Sequence, residues 1–397
     1  MNSLKCIRPF AAIAMLAVEA QALADNDAIR LQGVSDPHAA TSQGTAVNGI
    51  NLFGVVVGNY GDANNVYHAM VATPPYSKSS FITIDGPGSP QLTNAWGINF
   101  EGSTTGFYVD TDGVFHGFVA HPPYSTVQAI DVPGACSSGA ACANLGTQAL
   151  SINLEGTIAG YYLDANGVAH GFVSERPYTN FKAINPPGAC STGPACANLG
   201  TAVQWNSLND FGAITGVYYD VNGVAHGFVS HPPYSTFKTF DVPGACSLGP
   251  TCYGAGTQPS SINLAGTITG LEVDASGISH HGFVSDPPYT RFKIFDAPGA
   301  CSKDVAACAG LGTAPQSIDV DGTIVGYFAD ANAVHHGFVS RRPYTGITAF
   351  DDPSACSSGP ACGGAGTFPY ANDPIGGIAG AAVDSVGASH GFVGHQN

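Results

Sequence analysis

Residues Asn153–Val173 read NLEGTIAGYYLDANGVAHGFV, and this stretch decides the fold. It holds an Asn-x-x-Gly turn signal, a β-rich run, an Asp followed by a turn Gly, and then His-Gly-Phe-Val. The same phrase returns seven times along the chain. Aligned on His68, His116, His170, His226, His281, His336 and His390, successive copies lie 48, 54, 56, 55, 55 and 54 residues apart. A nearly fixed period of this length is the signature of a repeat array.

Each full copy offers four strand-like runs. In the third they are Ala149–Leu154, Thr157–Leu163, Val168–Ser174 and Phe181–Asn185. Glu155-Gly156, Asp164-Ala165-Asn166-Gly167 and a Pro177-bearing segment separate them, and Asx-Gly turns between β-rich runs signal hairpins. After the first 24 residues no 3.6-residue apolar period is sustained. Four antiparallel strands in each of seven units predict an all-β fold, a seven-bladed β-propeller. The last copy ends at His390-Gly391-Phe392-Val393 without a fourth strand-like run. Ala28–Pro37 resembles the fourth-strand phrase Phe237–Pro243, so a strand from about residues 27–36 is expected to complete the last blade and hide two open edges. An open β-solenoid, the alternative, needs no such strand.

The repeat resembles the extracellular HAF-type repeats, named for a His-Ala-Phe tripeptide. Here it reads His-Gly-Phe in six copies and His68-Ala69-Met70 in the first. The resemblance covers nearly the whole chain after residue 24. It implies a secreted β-repeat protein and implies no particular activity.

The first residues read as an export signal. Lys5 and Arg8 precede an apolar run, Pro9–Val18, too short to span a bilayer. Glu19 interrupts it late, and Ala22-Leu23-Ala24 fits a small-x-small cleavage site. The expected organisation is a signal peptide over 1–24 and one propeller over 25–397, with no transmembrane segment. The expected location is secreted, extracellular or periplasmic, and the expected state monomeric. The formal net charge of −16 argues against nucleic acid as a partner, which requires clustered Lys and Arg. Beyond Cys6, ten cysteines fall in close pairs: Cys136/Cys142, Cys190/Cys196, Cys246/Cys252, Cys301/Cys308 and Cys356/Cys362. Metal knuckles space their cysteines more tightly, and an even count in an exported chain reads as disulfides. Each closes a short loop, which the chain-entropy relation values at roughly 2 kcal/mol.

Antiparallel order puts the Asp turns and the disulfide loops on one face. The other face carries the Glu101-Gly102 type turns and segments such as Pro122-Pro123-Tyr124. The junctions Pro87–Leu92 and Asp36–Thr45 lack a disulfide loop, which reads either as a low rim and side entrance at the first unit or as simple drift. The repeated aspartates Asp62, Asp110, Asp164, Asp220, Asp274, Asp330 and Asp384 read as structural turn residues. A weak Ca2+ site is the alternative, since Asp110-Thr111-Asp112-Gly113 is similar to the start of a calcium loop. No other cofactor or metal is expected. The seven aligned histidines read as structural, each hydrogen-bonding within or between units. In His280-His281 and His335-His336, neighbouring side chains point to opposite faces, which disfavours chelation.

A binding site in a symmetric array is expected where symmetry fails. Trp96 and Trp205 stand where small residues stand in other first strands, the strands that line a central channel. Glu272 stands where Tyr162 and Tyr219 stand. Tyr253 varies a disulfide loop, and Asp210, Asp319 and Asp321 vary the turn after the first strand. These read either as drift and gap-filling or as an aromatic platform for a sugar or peptide at the channel mouth. No nucleophile elbow, zinc-protease pair, P-loop or dinucleotide fingerprint is present. After residue 24 the only glutamates are Glu101, Glu155, Glu175 and Glu272; an Asp pair at the channel stays open as a glycosidase-like site. The leading expectation is a non-catalytic binding module for a glycan or protein ligand. The alternatives are a carbohydrate-active hydrolase or lyase working at the channel mouth, and a structural surface protein.

Overall fold

The computed structural model describes residues 29–89, 91–274, 279–302 and 306–396. The expected signal peptide, 1–24, lies outside them. The described chain is all-β, with only short 3-10 turns besides the strands.

In the third repeat the strands are Gly146–Ile152, Ile158–Leu163, Ala169–Ser174 and Phe181–Ile184, each antiparallel to the one before. Local chemistry sets each reversal. Asn153 Oδ1 accepts the Thr157 N–H at 2.9 Å, while Gly156 takes a φ of +81° that a side chain would oppose. Asp164 Oδ1 accepts the N–H groups of Asn166 and Val168 at 2.8 and 3.0 Å, an Asx turn that returns the chain at once. In the third reversal the Tyr178 hydroxyl donates to the Gly156 carbonyl at 2.9 Å. Tyr76, Tyr124, Tyr234, Tyr289 and Tyr344 make the same bond to Gly54, Gly102, Gly212, Gly266 and Gly322. The Pro-Pro-Tyr and Arg-Pro-Tyr segments therefore brace the first turn of their own repeat.

Neighbouring repeats meet through parallel bridges from the third strand of one to the first strand of the next. These are Tyr67–Leu92, Phe115–Gly146, Ala169–Gly200, Ala225–Gly256, Ser279–Leu311 and His335–Gly366. The series returns to its start, because Gly44 bridges Ser389. Beside that bridge the N-terminal strand Ile29–Val34 pairs antiparallel with the C-terminal strand Ser389–Gln396, from Ile29–Gln396 to Val34–Gly391.

The core lies between repeats. The Phe of His-Gly-Phe is fully buried in six copies, as Phe118, Phe172, Phe228, Phe283, Phe338 and Phe392, with Met70 in the first. One apolar layer joins Val173 and Ile184 of the third repeat to Ile214, Tyr218 and Phe228 of the fourth. Another joins Val393 and Ala379 of the last repeat to Val47, Val56 and Met70 of the first, with Val34 in the same layer. The glycine before each Phe permits this closeness: a Cβ on Gly227 would sit 2.4 Å from the Phe240 ring.

Five disulfides form as the cysteine spacing predicts: Cys136–Cys142, Cys190–Cys196, Cys246–Cys252, Cys301–Cys308 and Cys356–Cys362. Each of four loops leans on the Asp turn of the preceding repeat, as where Asn144 N–H donates to Gly113 O at 2.8 Å and Asn198 N–H to Gly167 O at 2.9 Å. The bare junction before the first repeat instead uses Gln43, which donates to Asn65 and accepts from the Tyr67 hydroxyl.

Candidate functional site

The turns after each first strand are held side by side by an amide relay. Asn51 Nδ2 donates to the carbonyl of Asn99 at 3.1 Å, Asn99 to Asn153 at 3.0 Å, Asn153 to Asn209 at 3.2 Å, Asn209 to Asn263 at 2.8 Å and Asn263 to Asp319 at 2.9 Å. Each Asn Oδ1 accepts an N–H of its own turn, which aims the NH2 group at the neighbour. In the last two repeats Asp319 and Asp373 keep the first half of this arrangement. Asp319 Oδ1 accepts from Asp321 and Thr323 at 3.0 and 2.8 Å, and Asp373 Oδ1 from Ile375 and Gly377 at 2.9 and 2.8 Å. An ionised carboxylate has no proton to pass on. The relay therefore stops at Asp319.

Above the relay the mouth is apolar. The last residue of each first-strand segment is Ile50, Ile98, Ile152, Leu208, Ile262 or Ile318, with Asn372 taking the place in the seventh repeat. All of them but Ile152 border a cavity of about 440 Å³, which also meets Asn206 and Asp319. Each turn then places one large apolar side chain in solvent: Phe53, Phe100, Leu154, Phe211, Leu264, Val320 and Ile375. They range from 37% exposed at Leu264 to 74% at Phe211. Phe53 and Phe100 touch, with ring centroids 4.8 Å apart.

Beneath the mouth the channel is plugged, and the plug comes from an irregularity. The fourth repeat spends two more residues between its Gly and Asn (Gly200–Asn209) than the third (Gly146–Asn153). Its first strand ends at Ala202. The extra residues cross the channel. Trp205 stacks on Trp96 with centroids 4.6 Å apart and planes 21° from parallel, and Tyr370 meets Trp96 edge-on at 6.4 Å. Asn206, in the left-handed region at φ 57°, donates to Tyr370 O at 2.9 Å and Gln316 O at 3.4 Å. Ser151 Oγ donates to Gln204 O at 3.0 Å. Trp205 is thus part of an insertion, not a strand residue replacing a small one. The two indoles therefore each give one face to the other.

The other sequence-selected residues divide between the faces. Asp210 lies at the mouth, where its Oδ1 accepts the Leu154 N–H at 2.8 Å and ties two turns together. Asp319 and Asp321 share one turn there. Glu272 and Tyr253 lie at the opposite end. Glu272 is buried and pairs across from His281, the position held by Tyr162 opposite His170 and by Tyr218 opposite His226. Its counterpart in the fourth repeat is therefore Tyr218, not Tyr219, which faces Ala225. Tyr253 is exposed and covers the Gly223 turn.

The repeated His and Asp residues form clips on that opposite face. His116 Nδ1 meets Asp131 at 2.8 Å and its Nε2 meets Asp110 at 3.3 Å, while the ring stacks on Tyr108 at 5.0 Å. His68, His226 and His336 repeat the clip with Asp85/Asp62, Asp241/Asp220 and Asp351/Asp330. His281 pairs with Asp296, His170 with Asp164 and His390 with Asp384. The hydrogen bonds that His116, His226 and His281 donate to Asp131, Asp241 and Asp296 raise their pKa values above the ordinary imidazole range. Their contribution to stability is full below the unfolded value near 6.5 and is lost as pH rises through the folded pKa. Among the described residues, no three His, Cys, Asp or Glu side chains converge on a point suited to a metal.

No family profile matches the chain, and no curated protein matches it. Solved structures do. The β-propeller domain of the Trilobed protease from Pyrococcus furiosus is similar over 89% of this chain and 97% of its own, at 8% identity and a TM-score of 0.49. The six-bladed fucose-recognising lectin of Aleuria aurantia is similar over 81% and 94%, at 11% identity and 0.40. TolB from Acinetobacter baumannii is similar over 86% and 79%, at 10% identity and 0.44.

Two measurements check this geometry. Asp319→Asn restores the missing donor and is expected to raise unfolding free energy at neutral pH by about 1 kcal/mol. Burial pushes the Asp319 carboxyl above the usual carboxylate range, against the hydrogen bonds from Thr323 and Asp321. Between the unfolded and the raised folded pKa, the folded state holds a proton that the unfolded chain has released. Stability contributed by this group therefore increases as pH falls through that window. The advantage of Asp319→Asn in urea unfolding should be largest at pH 7 and shrink on acidification. For the plug, the chain has only two tryptophans. Stacked indoles couple their transitions, so near-ultraviolet circular dichroism should show a coupled pair of bands. Replacing either Trp96 or Trp205 by Phe should remove the whole pair of bands rather than half the signal.

Proposed function

We propose that the chain is an exported seven-bladed β-propeller of four-stranded blades, closed by its N-terminal strand, and that it works as a non-catalytic binding module. The circuit of parallel bridges and the pairing of the two terminal strands support the architecture. Kinship with the extracellular HAF-type repeats and export by residues 1–24 belong to the same reading, supported by the repeat phrase and by five disulfides, which persist in oxidising compartments. No helix among the described residues is long and apolar enough to cross a membrane.

The observation that carries the function is the mouth. A cavity of about 440 Å³ opens above the tryptophan plug, Leu264 and Val320 line it, and each of the seven turns around it carries one solvent-exposed apolar side chain. Exposed apolar groups gathered on one face of a soluble protein mark an interaction site. The plug closes the channel below, so a ligand enters and leaves by one side. The opposite face spends its repeated Asp and His residues on clips within each repeat.

The test is a binding screen of the wild-type protein on a glycan array and a peptide library, repeated with Phe211→Ser and with Val386→Ser on the opposite face. Hits should be lost with Phe211→Ser, kept with Val386→Ser, and recovered chemically unchanged after incubation. Hits that depend on Val386, or that are cleaved, would contradict the proposal.

A further inference from the structure

We infer that the occupant of the mouth is a basic, apolar polypeptide segment, one that offers large aliphatic or aromatic side chains flanked by Lys or Arg. This rests on the mouth being the binding face, as proposed above.

The first ground is the chemistry of the rim. The exposed ring is Phe53, Phe100, Leu154, Phe211, Leu264, Val320 and Ile375, and an aliphatic ring lies directly inside it. Apart from three phenylalanines these are aliphatic groups, which pack against side chains. Flat sugar faces favour aromatic platforms, and the two indoles each give one face to the other. Much of the hydrogen-bonding capacity that a hydroxyl-rich ligand would need is also committed. The amides of Asn51, Asn99, Asn153, Asn209 and Asn263 are spent on the relay, and Asn206 is bonded across the plug.

The second ground is charge. The seven turns are Asn51–Val56, Asn99–Thr104, Asn153–Ile158, Asn209–Ile214, Asn263–Ile268, Asp319–Ile324 and Asp373–Ile378. They contain Glu101, Glu155, Asp210, Asp319, Asp321 and Asp373, and not one Lys or Arg. Two arginines reach them from outside. Arg176 meets Glu101 at 3.2 Å; Arg342 contacts Thr267 but is paired with Asp286 at 2.8 Å. Asp319 and Asp373 are buried in their turns, whereas Glu101, Glu155, Asp210 and Asp321 are exposed; an apolar ring interleaved with these exposed carboxylates attracts an apolar segment that carries positive charge. It repels an anionic membrane, and it repels a second copy of the same acidic face.

The third ground is shape. The relay fixes six turns to one another and Asn372 Nδ2, donating to Thr323 O at 2.9 Å, ties the seventh to the sixth, so the rim is braced before any partner arrives, which lowers the ordering cost of binding. The cavity inside it admits side chains and not a folded domain.

The experiment uses the full exported chain and a fluorescein-labelled peptide in which Lys alternates with Leu and Phe. Anisotropy should show saturable binding that weakens as salt is raised. Phe211→Ser with Ile375→Ser should weaken it at least about tenfold, the loss expected for removing central apolar anchors. Leu248→Ser with Val386→Ser, exposed on the other face, should leave it unchanged, and unfolding midpoints confirm that both double variants fold. Peptides with Glu for Lys, or with Ser for Leu and Phe, should bind at least tenfold more weakly, on the order of one lost anchor. Equal binding of the charge-reversed peptide, tighter binding to phosphatidylglycerol vesicles, or self-association through the mouth would overturn the inference. Failure of the Lys peptide together with glycan-array binding that Phe211→Ser abolishes would overturn it too, while leaving the binding-module reading intact. Failure of peptide and glycan probes alike would remove both.

Discussion

No repeat of this protein owns a core. The buried phenylalanine of each His-Gly-Phe packs into a layer shared with an adjoining repeat, as Phe228 does with residues of the third repeat. A unit built this way has an apolar face that only a neighbour can cover, so stability arises at the interfaces. In a linear stack the two end faces would stay open. Here the last and first repeats share a layer through Val393, Ala379, Val47 and Met70, and Val34 of the N-terminal strand completes it. Closure of the circuit is the constraint on which the other features depend.

The same closure makes the mouth. Once the first strands face a common axis, the turns that follow them crowd together, and buried backbone carbonyls there need donors. In five of the seven turns one asparagine supplies both an acceptor for its own loop and a donor for the next. Each turn then carries an exposed apolar residue, one position further on at Phe100, Leu154, Leu264 and Val320 and two positions further on at Phe53, Phe211 and Ile375. On the other face, Asp turns, His clips and disulfide loops answer the needs of local reversals and of contacts between adjacent repeats. The two faces therefore differ in kind: one is braced by His–Asp pairs and disulfide loops, the other sets exposed apolar side chains above an amide relay.

The all-β character, the turns and the disulfides were legible because they are written in period and turn chemistry. The Asn-x-x-Gly and Asp turns, the spacing of the histidines and the close cysteine pairs each correspond to a local structure, and strand limits in the third repeat differ from expectation by a few residues. The site was less legible. Trp205 is indistinguishable in sequence from a strand residue until the two extra residues between Gly200 and Asn209 are counted. A one-residue misalignment placed Tyr219 where Tyr218 belongs, because two adjacent tyrosines point to opposite faces of a strand. The apolar ring could have been found by reading the residues after Asn51, Asn99, Asn153, Asn209 and Asn263 down the alignment. What sequence could not supply is that those positions gather around one cavity, since that follows only from the closed circuit.

The most direct test of closure is the unfolding of a chain lacking residues 25–36, followed by circular dichroism in urea beside the intact protein. The account predicts a markedly lower midpoint, a broader transition, and recovery of both when a peptide spanning 27–36 is added back. An unchanged midpoint and sharpness without the strand would contradict it.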